Sequence, residues 1–586
     1  QFKKISGTTA VILDKECATE KGRRRRKLRQ NPDSYVLIHE RLCEGCGDCF
    51  QQSEGCAALY STETVFGDKT QIRQGNCVQD QLCVDGECPS FVKVTPRNET
   101  GGLKQAIPES LEDLPEPEKV EFDEVDYTLF AVGRGGTGVV TISHLIAYAA
   151  MIDGYYVYLS NNTGLAQKGG PVEAPIVINR HRQPVFNRLF PGSADLYLGF
   201  DLLRGAEPQN LKFASSDRTA AVVSTTRLPN AQMNRQASRF PDPDSLAQLI
   251  DQFTLKSSNI YIDTYVMAET LFGDSIYANM LLLGVAYQTG RIPISAEALE
   301  TAIELNGKAI PNNIAAFRWG RLAIIDPLRV QQRVGLIRDD GDEFVDRNRA
   351  RLDNARVRSF HDKALDLLIQ APDLKPDFSR CIVELIAYQD EEYAQQFVDF
   401  VHKVHDIEIA VYPTGDSSLT RATIVNLYKL MAYKDEYEVA RLALDEDAQE
   451  QITKAFDGEV KVSYCLNPPA LRRFGWGKIE LGPSARWLFI ALRSLRKIRG
   501  SVWDIFGRTD CRRLERELVD WYRNTLMEAI EILSQGPVPV ETYDTLVAVA
   551  QAPDSVRGYE HVKIETATKA RSDVAVLLKK LGSANN

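Results

Sequence analysis

Three cysteines in one seven-residue run, Cys43-Glu44-Gly45-Cys46-Gly47-Asp48-Cys49, constrain this chain more than any other feature. With two residues between successive thiols, one tight loop can wrap three irons of a cubane cluster, and the fourth thiolate must come from elsewhere. In two-cluster ferredoxins it is the last cysteine of the opposite motif, followed by proline, and Cys88-Pro89 fits that role. Cys43, Cys46, Cys49 and Cys88 are therefore assigned to one 4Fe-4S cluster. Zinc is the competing reading, but zinc sites use paired knuckles and seldom three cysteines in a run.

Eight of the eleven cysteines fall within the first 88 residues, a knot that points to metal in a reducing, cytoplasmic compartment rather than to disulfide staples. The second set is less regular. With Cys88 assigned, Cys56, Cys77 and Cys83 supply only three ligands. Either the second centre is a three-iron cluster, or a non-cysteine ligand such as Asp80 joins, or Cys17 folds back to complete a second 4Fe-4S cluster. Cys17 is the favoured ligand, against the reading that it is a buried thiol of the preceding segment.

At 586 residues the chain predicts three to four domains, at roughly 150 residues each. A net charge of -10 argues against nucleic acid as a partner, and apolar runs such as Met280 to Leu283 are far too short to span a membrane. Ala10 to Leu13 reads as a buried strand, so the chain is expected to begin inside a larger polypeptide.

Between Pro108 and Asp126 nine acidic residues, one lysine and three prolines predict an extended surface linker. The apolar strand Tyr127 to Gly133 then runs into Gly133-Arg134-Gly135-Gly136-Thr137-Gly138 and a helix from Val139 to Ala150. Strand, glycine turn and helix N-terminus together suit a phosphate, although such a turn can need glycine for packing alone. The next strand, Tyr155 to Leu159, ends at Ser160-Asn161-Asn162 without the acidic residue that a nicotinamide dinucleotide site places on the ribose.

Strands are expected near Ala220 to Ser224 and Asn259 to Asp263, then helices at Asp274 to Gln288 and Ser295 to Leu305, the second stopped by Gly307. Beyond Gly341 the pattern is mostly helical, with strands at Ile407 to Tyr412 and Glu459 to Tyr464. His402 and His405 read as a solvated helical face. Arg472, Arg473, Arg486, Arg493, Arg496, Lys497 and Arg499, interleaved with Trp476, Trp487 and Trp503, read as a subunit interface.

Further motifs carry a resemblance along nearly the whole chain: Leu13 to Cys17 with Arg23 to Arg26, Gly86-Glu87-Cys88-Pro89-Ser90-Phe91, Gly164 to Gly170, Asp195 to Asp201, Gly273-Asp274, Glu304 to Gly307, Ala316 to Gly320, and Arg557 to Lys563. With the cysteine run and the glycine turn, they make the chain similar to the C-terminal half of the fused indolepyruvate ferredoxin oxidoreductases, within the thiamine-dependent 2-oxoacid:acceptor oxidoreductases.

The resemblance implies that a 2-oxoacid, typically an aryl pyruvate such as indolepyruvate, is oxidatively decarboxylated to an acyl-CoA, with electrons leaving through two 4Fe-4S clusters to ferredoxin. It implies coenzyme A at Gly133, Arg134, Gly135, Gly136, Thr137 and Gly138 with Gln167, Lys168, Gly169 and Gly170 nearby. Lys168 either pairs with a phosphate or is solvated. Arg134 departs from the small or apolar residue of relatives, and either adds a phosphate contact or blocks the turn. No Gly-Asp-Gly followed by paired asparagines is present. Thiamine diphosphate and magnesium are thus expected upstream in the same polypeptide or in a partner subunit.

The resulting fold expectation is multidomain α/β: residues 1–34 the tail of a thiamine module, 35–100 a small two-cluster ferredoxin-like domain, 101–126 the linker, 127–335 a Rossmann-like α/β domain, and 336–586 a mainly helical α+β domain. A homodimer or higher oligomer is expected. The competing functions are a non-catalytic iron-sulfur electron-transfer module and a nicotinamide-linked reductase subunit.

Overall fold

The computed structural model describes residues 24, 32–98, 102–104, 109, 111–120, 126–164, 169–182, 189–236, 240–335, 341–368, 370–412, 417–467, 477–533 and 539–584. Cys17, Gln167, Lys168, Arg472, Arg473 and Trp476 lie outside them.

The cysteine region is built on four strands: β1 (Tyr35–Ile38), β2 (Leu59–Thr64), β3 (Gly67–Ile72) and β4 (Phe91–Pro96). β2 and β3 form a hairpin, whereas β1 pairs antiparallel with β4. Side chains alternate across that second pair: Val36, Ile38 and Phe91 face the cysteines, while Tyr35, Val92 and Val94 face the opposite side.

The acidic segment expected as an extended surface linker runs as a strap. Residues 111–120 run extended but are bound along the next body, because the buried Arg321 guanidinium needs acceptors and finds them in Pro115 O (3.0 Å) and Glu116 (3.1 Å). Tyr287 donates to Glu116, and Val120 N donates to Gly290 O at 2.9 Å. Gly290 has φ +76, and a β-carbon there would run into Glu118 O, so the strap and this glycine fit only together.

The next body holds β5 (Tyr127–Arg134), β6 (Tyr156–Leu159), β7 (Asn162–Thr163), β8 (Pro171–Asn179), β9 (Leu196–Gly199), β10 (Ala220–Ser224) and β11 (Ile260–Ile262). The order is β11-β10-β9-β5-β8-β6, with β7 also pairing β8. The four strands from β11 to β5 are parallel, and β8 is antiparallel to its neighbours. Central β5 is buried on both faces, Leu129 and Ala131 toward one core, Phe130 and Val132 toward the other, which explains its unbroken apolar run.

Helices α1 (Val139–Ile152), α2 (Ala278–Gln288), α3 (Ala296–Asn306) and α4 (Ile310–Ile325) cover this sheet. α2 starts later than expected, since Asp274 caps a separate 3-10 turn over Ser275–Tyr277. Ser295 caps α3 by accepting Ala298 N, and Gly307 ends it at φ +69.

Further helices include α5 (Lys375–Tyr388), α6 (Glu391–Val411), α7 (Ser418–Met431), α8 (Glu436–Ala443), α9 (Asp510–Leu533), α10 (Val540–Gln551) and α11 (Glu560–Ala584); of these all but α8 help build one core. The strand expected at Ile407 to Tyr412 is instead the end of α6. Val401, Val404, His405 and Glu408 are all buried, a 3.6-residue period that outweighs the short alternation of Ile407 and Ile409. His405 thus faces the interior and not solvent, while His402 stands 3.4 Å from Asp406.

The strands β12 (Val460–Leu466) and β13 (Ile479–Leu481) extend the first sheet in the order β1-β4-β12-β13. Val460 to Tyr464 pair with Val92 to Pro96, and α8 covers the face away from the cysteines through Ala440 and Ala443. The cysteine region and the far helical region therefore share one sheet.

Candidate functional site

The cysteine loop leaves β1, turns through Gly45 (φ +61) and Gly47 (φ +78), and enters a short helix, Asp48–Gln52. A β-carbon at Gly45 would collide with Asp68 O on the β2–β3 hairpin, so the hairpin presses the loop against the sheet only because glycine stands there. Cys43 and Cys49 are buried, and Cys56, Cys77, Cys83 and Cys88 pack against the same cluster.

Their electrostatics fall into two groups. Burial pushes the Cys46 and Cys49 thiols well up, and both are raised further by Cys43 and Cys88. Burial likewise lifts Cys88 to about 11, with Cys43 the largest charged neighbour. Cys83 is pushed up to about 12 by burial and then by Cys56, Cys77 and Asp80. Cys49 also feels Cys83, so the groups adjoin. Among the described residues no three His, Cys, Asp or Glu side chains stand at metal-ligand spacing.

The donor chemistry nevertheless fits iron-sulfur clusters. Thiols this hard to ionise alone become thiolates when a cationic core takes their charge. Backbone N–H groups already aim at the sulfurs: Gly45 N and Thr70 N donate to Cys43 Sγ at 3.3 and 3.2 Å, and Ala58 N to Cys56 Sγ at 3.4 Å. Asp80 accepts from Leu82 N through Oδ1 at 3.2 Å. A cleft of about 930 Å³ opens on Gly45, Cys46 and Gly47 and is walled further by Arg227, Arg421 and Lys569.

In the glycine turn the structure brings two expected segments together: Gly135 N donates to Gly170 O at 2.7 Å and Gly169 N to Gly135 O at 3.0 Å. Gly133 is a packing glycine, since a β-carbon there would lie 2.8 Å from Val139 Cγ2 and 3.0 Å from Phe200 Cβ. Gly138 precedes α1 at φ +103, and a β-carbon there would lie 3.9 Å from Asn279 Nδ2. The Thr137 hydroxyl turns inward to Arg134 O at 2.8 Å. Arg134 corrects both expectations for it. Its Nε pairs with Asp201 at 2.6 Å, and its other nitrogens donate to Leu228 O and Pro229 O, so the guanidinium neither reaches for a phosphate nor blocks the turn.

Residues 128–323, which contain this turn, match the pyruvate ferredoxin/flavodoxin oxidoreductase family. This part of the chain is thus similar to the 2-oxoacid:ferredoxin oxidoreductases. Relatives include the indolepyruvate oxidoreductase subunit IorB of Methanothermobacter thermautotrophicus, 27% identical over 201 residues, 33% of this chain and 96% of that protein. The subunit of the same name from Pyrococcus horikoshii is 26% identical over 200 residues, 33% and 94% of the two chains. A crystal structure of pyruvate oxidoreductase subunit PORC from Thermotoga maritima is 21% identical, covers 33% of this chain and 94% of that one, and has a TM-score of 0.24. Residues 374–576 match a family of unknown function, DUF6537. The cysteine region of this chain lies outside both family matches. No helix among its described residues is long and apolar enough to cross a membrane.

Sequence reasoning missed the charges behind the cysteine loop. Lys69 Nζ donates to Cys43 O at 2.8 Å, and Lys434, from the helical region, pairs with Glu44. A charged residue nearly four hundred positions from a cysteine motif gives no local signal of belonging to it.

Proposed function

We propose that this chain is the electron-transfer and coenzyme A-facing part of a 2-oxoacid:ferredoxin oxidoreductase that converts an aryl pyruvate such as indolepyruvate, with coenzyme A, to an acyl-CoA and carbon dioxide. Two electrons pass through two 4Fe-4S clusters to ferredoxin in the cytoplasm. Cys43, Cys46, Cys49 and Cys88 hold the first cluster; Cys56, Cys77 and Cys83, completed by Cys17, hold the second. Thiamine diphosphate with magnesium, in domains upstream or in a partner subunit, supplies the stabilised carbanion from which the electrons are taken. The glycine turn and the adjoining Gly169-Gly170 receive coenzyme A through backbone N–H groups. Arg134 is left out of that role because of its internal ion pair. Trp487 and Trp503, 69% and 76% exposed, support an oligomer contact near them.

The observation that carries this reading is the packing of Cys43, Cys49, Cys56, Cys77, Cys83 and Cys88 in or against one core, in a chain that also contains a domain matching the oxidoreductase family. Anaerobic iron and sulfide quantitation with EPR of the dithionite-reduced chain tests it. About eight irons with interacting spectra, dropping to about four in Cys17→Ser, is the expected result. Zinc in place of iron overturns the reading. Eight irons retained in Cys17→Ser and lost in Asp80→Asn moves the fourth ligand to Asp80.

A further inference from the structure

The segment Arg557 to Lys563 lies in the helical region of unknown function, yet four of its side chains reach the loop of the first cysteine quartet or residues beside it. Tyr559 OH donates to Leu42 O at 2.5 Å, one residue before Cys43. Arg557 donates to Asp68 O at 3.2 Å, the carbonyl that presses on Gly45. Gly558, at φ +101, brings the backbone to where an added β-carbon would lie 3.3 Å from Cys46 Cβ. His561 Nδ1 is 3.1 Å from Glu87, next to Cys88. Lys563 Nζ lies 4.0 Å from Glu44 and 2.8 Å from Glu515.

A second element of the same region closes the arrangement. Lys434 follows α7, pairs with Glu44 and donates to Cys43 O at 3.4 Å. Lys69 and Lys434 both donate to Cys43 O, and Lys434 also pairs with Glu44, while Lys563, 4.0 Å from Glu44, has Glu515 as its nearer partner. Lys434 and Lys563 thus place two ammonium groups within 4.0 Å of the Glu44 carboxylate, in the loop that carries Cys43 and Cys46.

A cluster gains one negative charge on reduction, so fixed positive charge beside it favours the reduced form, and cluster potentials respond to such local charge. We propose that the helical region of unknown function serves as clamp and charge source for the first cluster: Arg557, Gly558 and Tyr559 hold its loop, and Lys434 and Lys563 are positioning residues whose ammonium groups raise its reduction potential. This rests on the assignment of a 4Fe-4S cluster to Cys43, Cys46, Cys49 and Cys88. It gives a chemical role to a region that touches neither the glycine turn nor the second cysteine set through this segment.

EPR-monitored redox titration of the full chain tests it, comparing the unmodified protein with Lys434→Gln, Lys434→Arg and Lys563→Gln, each with its iron content measured. With iron retained, Lys434→Gln should lower the potential of one cluster signal and leave the other in place. The expected size is about tenfold in the one-electron equilibrium, about 59 mV, and Lys434→Arg should restore it. If Lys434→Gln fails to take up iron, Lys563→Gln carries the test, since Lys563 makes no bond to a cysteine carbonyl and its loss leaves the loop held. Full iron with unmoved potentials in these variants overturns the inference alone. Zinc instead of iron in the unmodified chain sinks the cluster assignment beneath it.

Discussion

Gly558 and Cys46 are separated by more than five hundred positions in sequence, yet a β-carbon on Gly558 would sit 3.3 Å from Cys46 Cβ and 2.6 Å from Val562 Cγ1. Gly558→Ala therefore meets two costs, a left-handed backbone and a crowded contact on the cysteine loop. A destabilisation of about 1–3 kcal/mol is expected, with preferential loss of the first cluster's signal. Gly335→Ala is the control, because Gly335 has φ +72 with nothing within 4 Å. Chemical denaturation of both variants with iron analysis separates backbone strain from crowding. Equal effects on iron content would count against the contact.

Helices α2 and α4 cross through paired glycines. A β-carbon on Gly284 would run into Phe317 O, and one on Gly320 into Leu281 O, so either substitution forces two backbones apart. Gly284→Ala should cost about 3 kcal/mol or more, above the ordinary range for overpacking because carbonyl groups cannot swing aside as side chains do. A urea midpoint within error of the unmodified chain would show that the helices can separate cheaply.

Glu384 is 1% exposed and receives Arg41, Arg351 and Arg441, tying the cysteine region to the helical one. Burial would raise its carboxyl, but Arg441, Arg41 and Arg351 hold it well below the ordinary range. Glu384→Gln leaves buried guanidinium groups without their counter-charge and should cost about 3–5 kcal/mol at pH 7. A folded-state value below the unfolded one, about 4.3, means this stabilisation is complete above that pH and is lost as the pH falls from there toward the depressed folded value. The gap between unmodified and Glu384→Gln urea midpoints should therefore narrow below about pH 4.3 and stay constant above it.

The elements visible in the sequence were those whose signal is local. The strand Tyr127 to Gly133, the Ser295 cap and the Gly307 stop appear where spacing and cap chemistry set them, because each is decided within a few residues. Ile407 to Tyr412 went the other way. Six residues fit either period, and the burial of Glu408, which accepts from Leu419 N and Thr420 N at 2.9 Å, continues the helical period of Val401, Val404 and His405. That the linker is also bound down as a strap was invisible for the same reason, since its partner Arg321 lies two hundred residues on. Likewise, the pairing of β4 with β12 and the lysines around Glu44 are contacts of high sequence separation, which composition cannot announce. Of the candidate site, the sequence marked Cys43, Cys46, Cys49 and Cys88 as a group, while Arg557 to Lys563 stood out as a motif with no sign of its contacts to their loop.

Arg134 gives the last prediction. Its Nε meets Asp201 Oδ2 at 2.6 Å, and Asp201, 2% exposed, also caps the following turn by accepting Arg204 N at 2.9 Å. Burial raises the Asp201 carboxyl, with Arg134 opposing the rise. Arg134→Met removes that opposition and leaves a buried carboxylate unpaired, at a cost of about 3–5 kcal/mol at pH 7. The folded value then lies further above the unfolded value of about 3.9, so the folded chain holds the proton more tightly than the unfolded chain. The loss should be small near pH 4 and grow as the pH rises through the raised folded value. Asp201→Asn in the Arg134→Met background keeps the cap, removes the charge and should recover most of the stability. Urea unfolding across this pH range decides it: a flat deficit, or no recovery in the double variant, would mean that Arg134 acts through its bonds to Leu228 O and Pro229 O and not through the ion pair.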